Sequence, residues 1–301
     1  MKSWHAWLPL SLMLCSAGAH AAELGAVTLL EGSARLLRGA TWYKMVPGAR
    51  VEEMDILDVA ERGQAQVEFV GGGIVNLVGP GVMYVLPAKA KTAPQPLVVP
   101  SGWMKVVAKP PGVQLRAGSF NVAVADAIVV LNVTNTVVEF FVEHGDGRLT
   151  EILPNGADGP AHDIKRGEYW TRSASGSVST QARAPRIFVD KMPRHFIDPL
   201  HALAGRLKSP PTLVVDHDIT FAEAEPWLAG RERAVFEKRF TSRLRDPAFR
   251  SAVIPVAARY PTWDRILNPA KYEPKKTDKD KAEKDKAEKD KAEAKKPATA
   301  K

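Results

Sequence analysis

The chain of 301 residues carries a single cysteine, Cys15, so no intramolecular disulfide can form and stability must come from packing and hydrogen bonding. After the N-terminus it also lacks any run of the roughly 18 apolar residues that a membrane-spanning helix needs. The best run, Val122 to Val142, is interrupted by Asp126, Asn132, Asn135 and Glu139 and is rich in β-branched residues, which suits strands. There is no G-x-S-x-G elbow for a nucleophilic serine. Gly71-Gly72-Gly73 lacks the following Lys-Ser or Lys-Thr of a phosphate loop and reads as a turn needing positive φ.

The charge is less informative than its total suggests. The net charge is +8, but residues 22–186 hold 16 basic and 16 acidic side chains, 187–270 hold 13 and 10, and 271–301 hold 12 and 8. The surplus is therefore confined to the C-terminal third, where the tail mixes both signs. This is not a nucleic-acid footprint, and no nucleic-acid partner is expected.

What is present begins with an export signal. Lys2, the apolar stretch WLPLSLMLCSAG and the triplet Ala19-His20-Ala21 have the order of a secretory leader, so residues 1–21 are expected to be removed and the mature chain to start at Ala22, without a transmembrane helix. Cys15 follows Leu14 rather than a small residue, so it is read as part of the leader's apolar core and not as a lipid acceptor.

From Gly25 onward short β-prone runs, VTLL, ARLLR, AQVEFV, GIVNLV and VMYVL, alternate with Gly32, Gly39, Pro47-Gly48, Gly63, Gly71-Gly73 and Gly79-Pro80-Gly81. That rhythm predicts a mainly β domain over 22–180. Residues 87–100, Pro-rich and locally basic, are expected to form a protruding loop, and His144-Gly-Asp-Gly147 a hairpin turn. SASGSVSTQARAP, residues 173–185, reads as a last edge strand and linker.

The order of these features resembles the periplasmic domain of the FecR family. The likeness lies in a hairpin at Leu30 to Gly39, a step from Pro47 to Leu57, a hairpin at Ala65 to Leu77, then Val113 to Val124, Val138 to Thr150 and Ile164 to Tyr169. Family members usually carry a Gly-Thr-x-Phe turn where this chain has Asn132-Val-Thr-Asn-Thr136, so that turn is expected to differ. The resemblance implies a non-catalytic β domain of two packed or wound sheets. In the family's regulators such a domain transmits a signal across the envelope to an anti-sigma domain, a part this chain is not seen to carry.

The grammar changes after residue 185. A helical piece is predicted around Pro199 to Leu207, stopped by Pro210-Pro211. Thr220 and Glu223 have capping-box spacing at the head of a helix through Trp227. Phe236, Phe240 and Leu244 form an amphipathic stripe, and Asp246-Pro247 starts a helix carrying Phe249, Val253, Val256 and Tyr260, kinked at Pro255. Residues 186–270 are thus expected to form a small, mostly helical module, and the succession MPRHFIDPL, PWL, DPAFR and PTWDRILNP within it resembles a module of proteobacterial FecR-domain proteins. Residues 271–301, built on repeated Asp, Lys, Ala and Glu, have no apolar face and are expected to be a disordered tail.

No residue pattern assembles a catalytic centre, a metal site or a cofactor site. Asp216-His217-Asp218 would alternate across a strand, and His195 and His201, six apart around Pro199, match no ligand spacing. Trp42, Trp103, Trp170, Trp227 and Trp263 could be core or sugar-stacking residues; Trp227 and Trp263 fall where helices need anchors. Asp246, Arg250, Asp264 and Arg265, with Trp227, Phe249 and Trp263, form a signature read as caps, packing and ion pairs or as a contact surface. The expectation is a non-enzymatic periplasmic protein with an envelope-protein or cell-wall partner, acting in interaction, envelope signalling or scaffolding. The alternative is a peptidoglycan-binding module.

Overall fold

The computed structural model describes residues 23–90, 92–173 and 176–272, so the leader with Cys15 and the repeat from residue 273 on lie outside the described residues. The chain divides into two compact units, with the break between Asp218 and Ile219.

In the first unit the strands are Glu23–Glu31 (β1), Ala34–Arg38 (β2), Thr41–Lys44 (β3), Arg50–Glu52 (β4), Ile56–Val59 (β5), Gln64–Phe69 (β6), Ile74–Val85 (β7) and Gln95–Ala108 (β8). They continue with Val113–Ala117 (β9), Phe120–Val124 (β10), Ala127–Val133 (β11), Val138–Ile152 (β12), Asp158–Lys165 (β13), Tyr169–Arg172 (β14), Val178–Gln181 (β15) and Val214–Asp218 (β16). Pairing is antiparallel except between β8 and β9. Successive pairings β8-β9-β10-β12-β11-β8 close a ring, a barrel-like part in an otherwise open sheet. The mainly β character with C-terminal helices is as expected.

The Gly-punctuated runs do form strands, but three local readings change. Residues 95–100 are not loop: Leu97 and Val98 pair with Val85 and Tyr84, and the β8 edge also pairs with β9, so backbone bonding overrides the proline content. Gly79-Pro80-Gly81 does not separate two strands but lies inside β7. Likewise His144 to Gly147 is no turn. It is the point where the long β12 leaves its pairing with β11 and takes up β10, with Gly145 at φ +75° and a register shift opposite Ile128 and Val129. A Cβ on Gly145 would lie 2.2 Å from the Asp126 carbonyl oxygen, which is why glycine stands there. The hairpin turn is at 134–137, where Thr134 Oγ1 accepts from the Val137 backbone N–H at 3.0 Å.

Strands β7 and β8 are buried on both faces. Val75, Leu77, Met83, Val85, Leu97, Val99, Met104, Val106 and Ala108 enter the main apolar core with Val129, Leu131, Phe140 and Leu149. The opposite face, with Val78, Trp103, Val130, Phe141 and Tyr169, packs against Phe188 and Phe196. These two phenylalanines belong to a strap that runs from helix α1, Arg186–Lys191, through 3₁₀ turns at Arg194–Phe196 and Ala204–Arg206. The expected helix around 199–207 is thus only one 3₁₀ turn, consistent with a segment that contains Pro199 and little periodic apolar character. The strap and β16, which pairs with β3, are parts of the β unit.

In the second unit lie α2 (Phe221–Leu228), α3 (Arg233–Phe240), α4 (Pro247–Val253) and α5 (Pro261–Leu267). The Thr220–Glu223 capping box is present, and Asp246 caps α4 through a 2.8 Å bond from the Phe249 backbone N–H. Pro255 does not kink a continuous helix; α4 ends at Val253 and the chain continues as a 3₁₀ helix, Ile254–Arg259. Removing the Asp246 cap is expected to lower the unit's stability by about 1 kcal/mol, while Asp246→Asn keeps it; denaturant unfolding of the helical signal in Asp246→Ala and Asp246→Asn measures the difference.

Candidate functional site

Two groups of buried polar side chains organise the two units, and neither stands out in the sequence. In the first unit they lie on the outer sheet face, beneath the strap. Lys105 is 1 % exposed, and its ammonium bonds the main-chain carbonyls of Phe196 and Asp198, the latter at 3.2 Å, and pairs with Glu143 at 2.9 Å. Glu68 accepts from the Leu203 and Ala204 backbone N–H groups at 2.5 and 3.1 Å. Gln66 donates to the His201 carbonyl at 2.9 Å. Three sheet side chains thus satisfy main-chain groups of an irregular segment that would otherwise be buried without partners. On the same side of the sheet Glu139 accepts from Tyr169 Oη and from Asn132 Nδ2, both at 2.7 Å. Burial first, then the Glu139 carboxylate, pushes the Tyr169 hydroxyl above its ordinary pKa, so it stays a neutral donor.

The signature residues of the second unit fall into two kinds. Trp263 is 0 % exposed; its indole N–H donates to the Glu237 carbonyl at 2.9 Å and to Thr241 Oγ1 at 3.2 Å, and its ring packs on Phe249 and Tyr260. Trp227, half-buried, packs on Phe236, which stacks on Phe240. Asp246 is the cap already described, and Arg250 is exposed on α4. Glu237, which the sequence reading passed over, is buried; it accepts from the Thr262 backbone N–H at 3.2 Å and pairs with Arg233 at 3.0 Å, so it caps α5 from a neighbouring helix.

Asp264 anchors the end of this unit. Its carboxylate accepts from Lys271 Nζ at 2.6 Å, Tyr272 Oη at 2.5 Å and Asn268 Nδ2 at 2.7 Å, while the Arg265 guanidinium lies 5.5 Å from the Tyr272 ring centre. Lys271 and Tyr272 therefore belong to the folded unit, which corrects a tail boundary placed at 271; the rest of that tail lies outside the described residues. The Lys271 ammonium, with Tyr272 and Asn268, holds the Asp264 carboxyl down at about 2, against an ordinary 3.8. A depressed carboxyl stabilises the fold above its unfolded pKa and loses that contribution as pH falls through the folded value. Melting of the helical signal should accordingly fall more steeply between pH 4 and pH 2 in the native chain than in Asp264→Asn, and equal slopes would remove the latch from the account.

Among the described residues no cluster of three His, Cys, Asp or Glu side chains could hold a metal ion. Asp216 and His217 do not diverge as an ideal strand would make them: a register shift between Val215 and His217 lets His217 Nδ1 approach Asp216 Oδ2 to 3.0 Å, while Asp218 accepts from Thr41 Oγ1 at 2.7 Å. A shallow cleft of about 690 Å³ beside them is lined by Arg35, Lys44, Asp58 and Asp216, of which Arg35 and Asp58 are paired at 2.9 Å. The tryptophans weighed as stacking platforms are covered. Trp42 is 2 % exposed and Trp170 is buried, while half-buried Trp103 lies under the Phe188 ring at 5.1 Å. Among the described residues no helix is long and apolar enough to cross a membrane.

No protein-family model and no curated protein matches the chain. Two crystal structures of a candidate anti-sigma factor from Parabacteroides distasonis ATCC 8503, at 1.65 and 2.50 Å resolution, resemble it with a TM-score of 0.38 each and 14 and 13 % sequence identity. The matched part covers 44 % of this chain and 62 % of theirs, so the chain spans less than two thirds of the length of these structures.

Proposed function

We propose that the chain is a non-catalytic, exported FecR-like protein of the periplasm that works through contacts with envelope proteins, in signalling or scaffolding. The observation that carries this reading is the use made of buried ionisable groups. Asp55 accepts from the Glu52 backbone N–H and from Arg38, Glu68 and Lys105 hold the strap, Glu237 caps α5, and Asp264 holds the end of the helical unit. Each has a structural task, and functional sites ordinarily leave such groups facing a cleft. The β unit has several strands paired on one side only, and among them the edge of β16 carries exposed apolar side chains. β16 pairs with β3 on one side, and Val214 and Val215 are each 58 % exposed, the setting in which an extended partner segment adds a strand. The leader read from residues 1–21 supplies the export.

The test is made in the native host. Fractionation with N-terminal sequencing should give a chain beginning at Ala22 in the osmotic-shock fraction, and a photoreactive residue at position 215 should give discrete adducts with envelope proteins. A cytoplasmic chain retaining its leader would contradict the export reading. Adducts of equal pattern from position 215 and from exposed position 61 would contradict the edge as the contact.

A further inference from the structure

The strap brings one titratable group into an awkward position. His195 stands in the 3₁₀ turn Arg194–Phe196, directly before the residue whose carbonyl is bonded by the buried Lys105 ammonium. Its ring lies edge-on to Phe196 at 4.8 Å, and its Nε2 is buried without a hydrogen-bond partner among the described residues. Burial is the main cause that lowers the imidazole pKa; of the charged groups that bear on it, Glu31 of β1 favours protonation and is outweighed, while Lys105 of β8 opposes it and adds to burial. Lys105 is in turn paired with Glu143 of β12, and Glu31 accepts from Gln64 of β6 at 2.6 Å. Arg194 adds a further cation on the same turn. Asn76 of β7, which pairs with Lys105 in register, has an unpartnered Oδ1 but no charge.

Neutral imidazole leaves a single polar atom unsatisfied here. Imidazolium would place a buried N–H without an acceptor and a second positive charge beside Lys105. The strap's main chain is held by side chains of the sheet and not by a strand ladder, so what opposes its release is those bonds and the packing of Phe188 and Phe196.

We propose that residues 186–208 are a pH-sensitive strap that stays docked while His195 is neutral and lets go of the sheet when it is protonated. Release bares Trp103, Phe141, Tyr169 and the Lys105 ammonium, a face that is covered at neutral pH. The sign follows from linkage: a histidine whose folded pKa is depressed supports the docked state fully above its unfolded pKa of about 6.5 and withdraws that support as pH falls below it.

Hydrogen exchange of the full chain, followed by peptide mass spectrometry at pH 7.5 and 5.5 and corrected for intrinsic rates, tests this directly. Protection of peptides within 186–208 should drop severalfold at pH 5.5, towards the roughly tenfold limit that one histidine with an unfolded pKa of about 6.5 allows between these pH values, while β7 and β8 keep theirs. His195→Gln should hold its protection at both pH values. Glu31→Gln, which removes the carboxylate favouring protonation of the docked imidazole, should deepen the loss of protection at low pH and move the release midpoint to higher pH. A strap equally protected at both pH values in the wild type, or a pH step that persists in His195→Gln, overturns the proposal. Should the glutamine variant be unprotected throughout, the midpoint decides: an unmoved or lowered midpoint in Glu31→Gln overturns it, and a raised one supports it.

Discussion

Trp263→Ala should unfold the helical unit while the β unit keeps its strand signal. The indole is wholly buried, bridges α5 to the end of α3 through Glu237 and Thr241, and packs between Phe249 and Tyr260. Removing a large buried aromatic costs about 3–5 kcal/mol, and the loss is mainly one of packing, since Thr241 Oγ1 still donates to the Glu237 carbonyl at 2.6 Å. A unit of this size has little stability beyond that. The measurement is circular dichroism with limited proteolysis, reading loss of the helical band and cleavage within 219–272 beside a protease-resistant β unit. Trp263→Phe keeps much of the packing and loses only the donor, so it should be the milder of the two. A helical unit that stays resistant in Trp263→Ala would show that the aromatic residues do not share one core.

Lys105→Met should have a comparable effect on the β unit, concentrated on the strap. Methionine keeps the apolar stem of the side chain but leaves Glu143 and the Phe196 and Asp198 carbonyls without their cation. Removing one partner from a fully buried ion pair costs about 3–5 kcal/mol, and the cost here falls below that because Glu143 stays partly open to water, with the two unbonded carbonyls adding to it. Cleavage in 186–213 should rise well before the strand signal falls on heating. Pairing Lys105→Met with Glu143→Gln in a double-mutant cycle separates the ion pair from the carbonyl bonds: the double variant should recover part of the loss if the stranded carboxylate is its main source.

Much of the fold was legible because the signals were local. Alternation in AQVEFV and ARLLR, the positive-φ glycines at 71 and 72, the Thr220–Glu223 box and the Asp246-Pro247 start each depend on a few neighbouring residues, and each stands in the structure where the pattern places it. What escaped depends on residues far apart in the chain. Gln66 and Glu68 look like the wet face of a half-buried strand, and Lys105 like an exposed charge in a β run, until a segment 91 to 135 residues later covers them. Periodicity reports how many faces of a strand are apolar, not whether a polar face will be roofed over. The prolines at 94, 96 and 100 obscured the start of β8 for a related reason, since pairing with β7 and β9 outweighs local propensity. Lys271 and Tyr272 were hidden at the head of a charged repeat, and only the buried Asp264 carboxylate picks them out.

The central claim is that residues 186–218 complete the β unit and are held there by its buried polar side chains. Amide hydrogen exchange on the intact chain at pH 7.5 tests it most directly. The Phe188 and Phe196 turns, the Leu203 and Ala204 amides bound to Glu68, and the β16 amides paired with β3 should be protected, and Glu68→Gln should weaken protection at 203 and 204 first. Exchange of the whole 186–218 segment at the rate of an unstructured peptide would contradict the account.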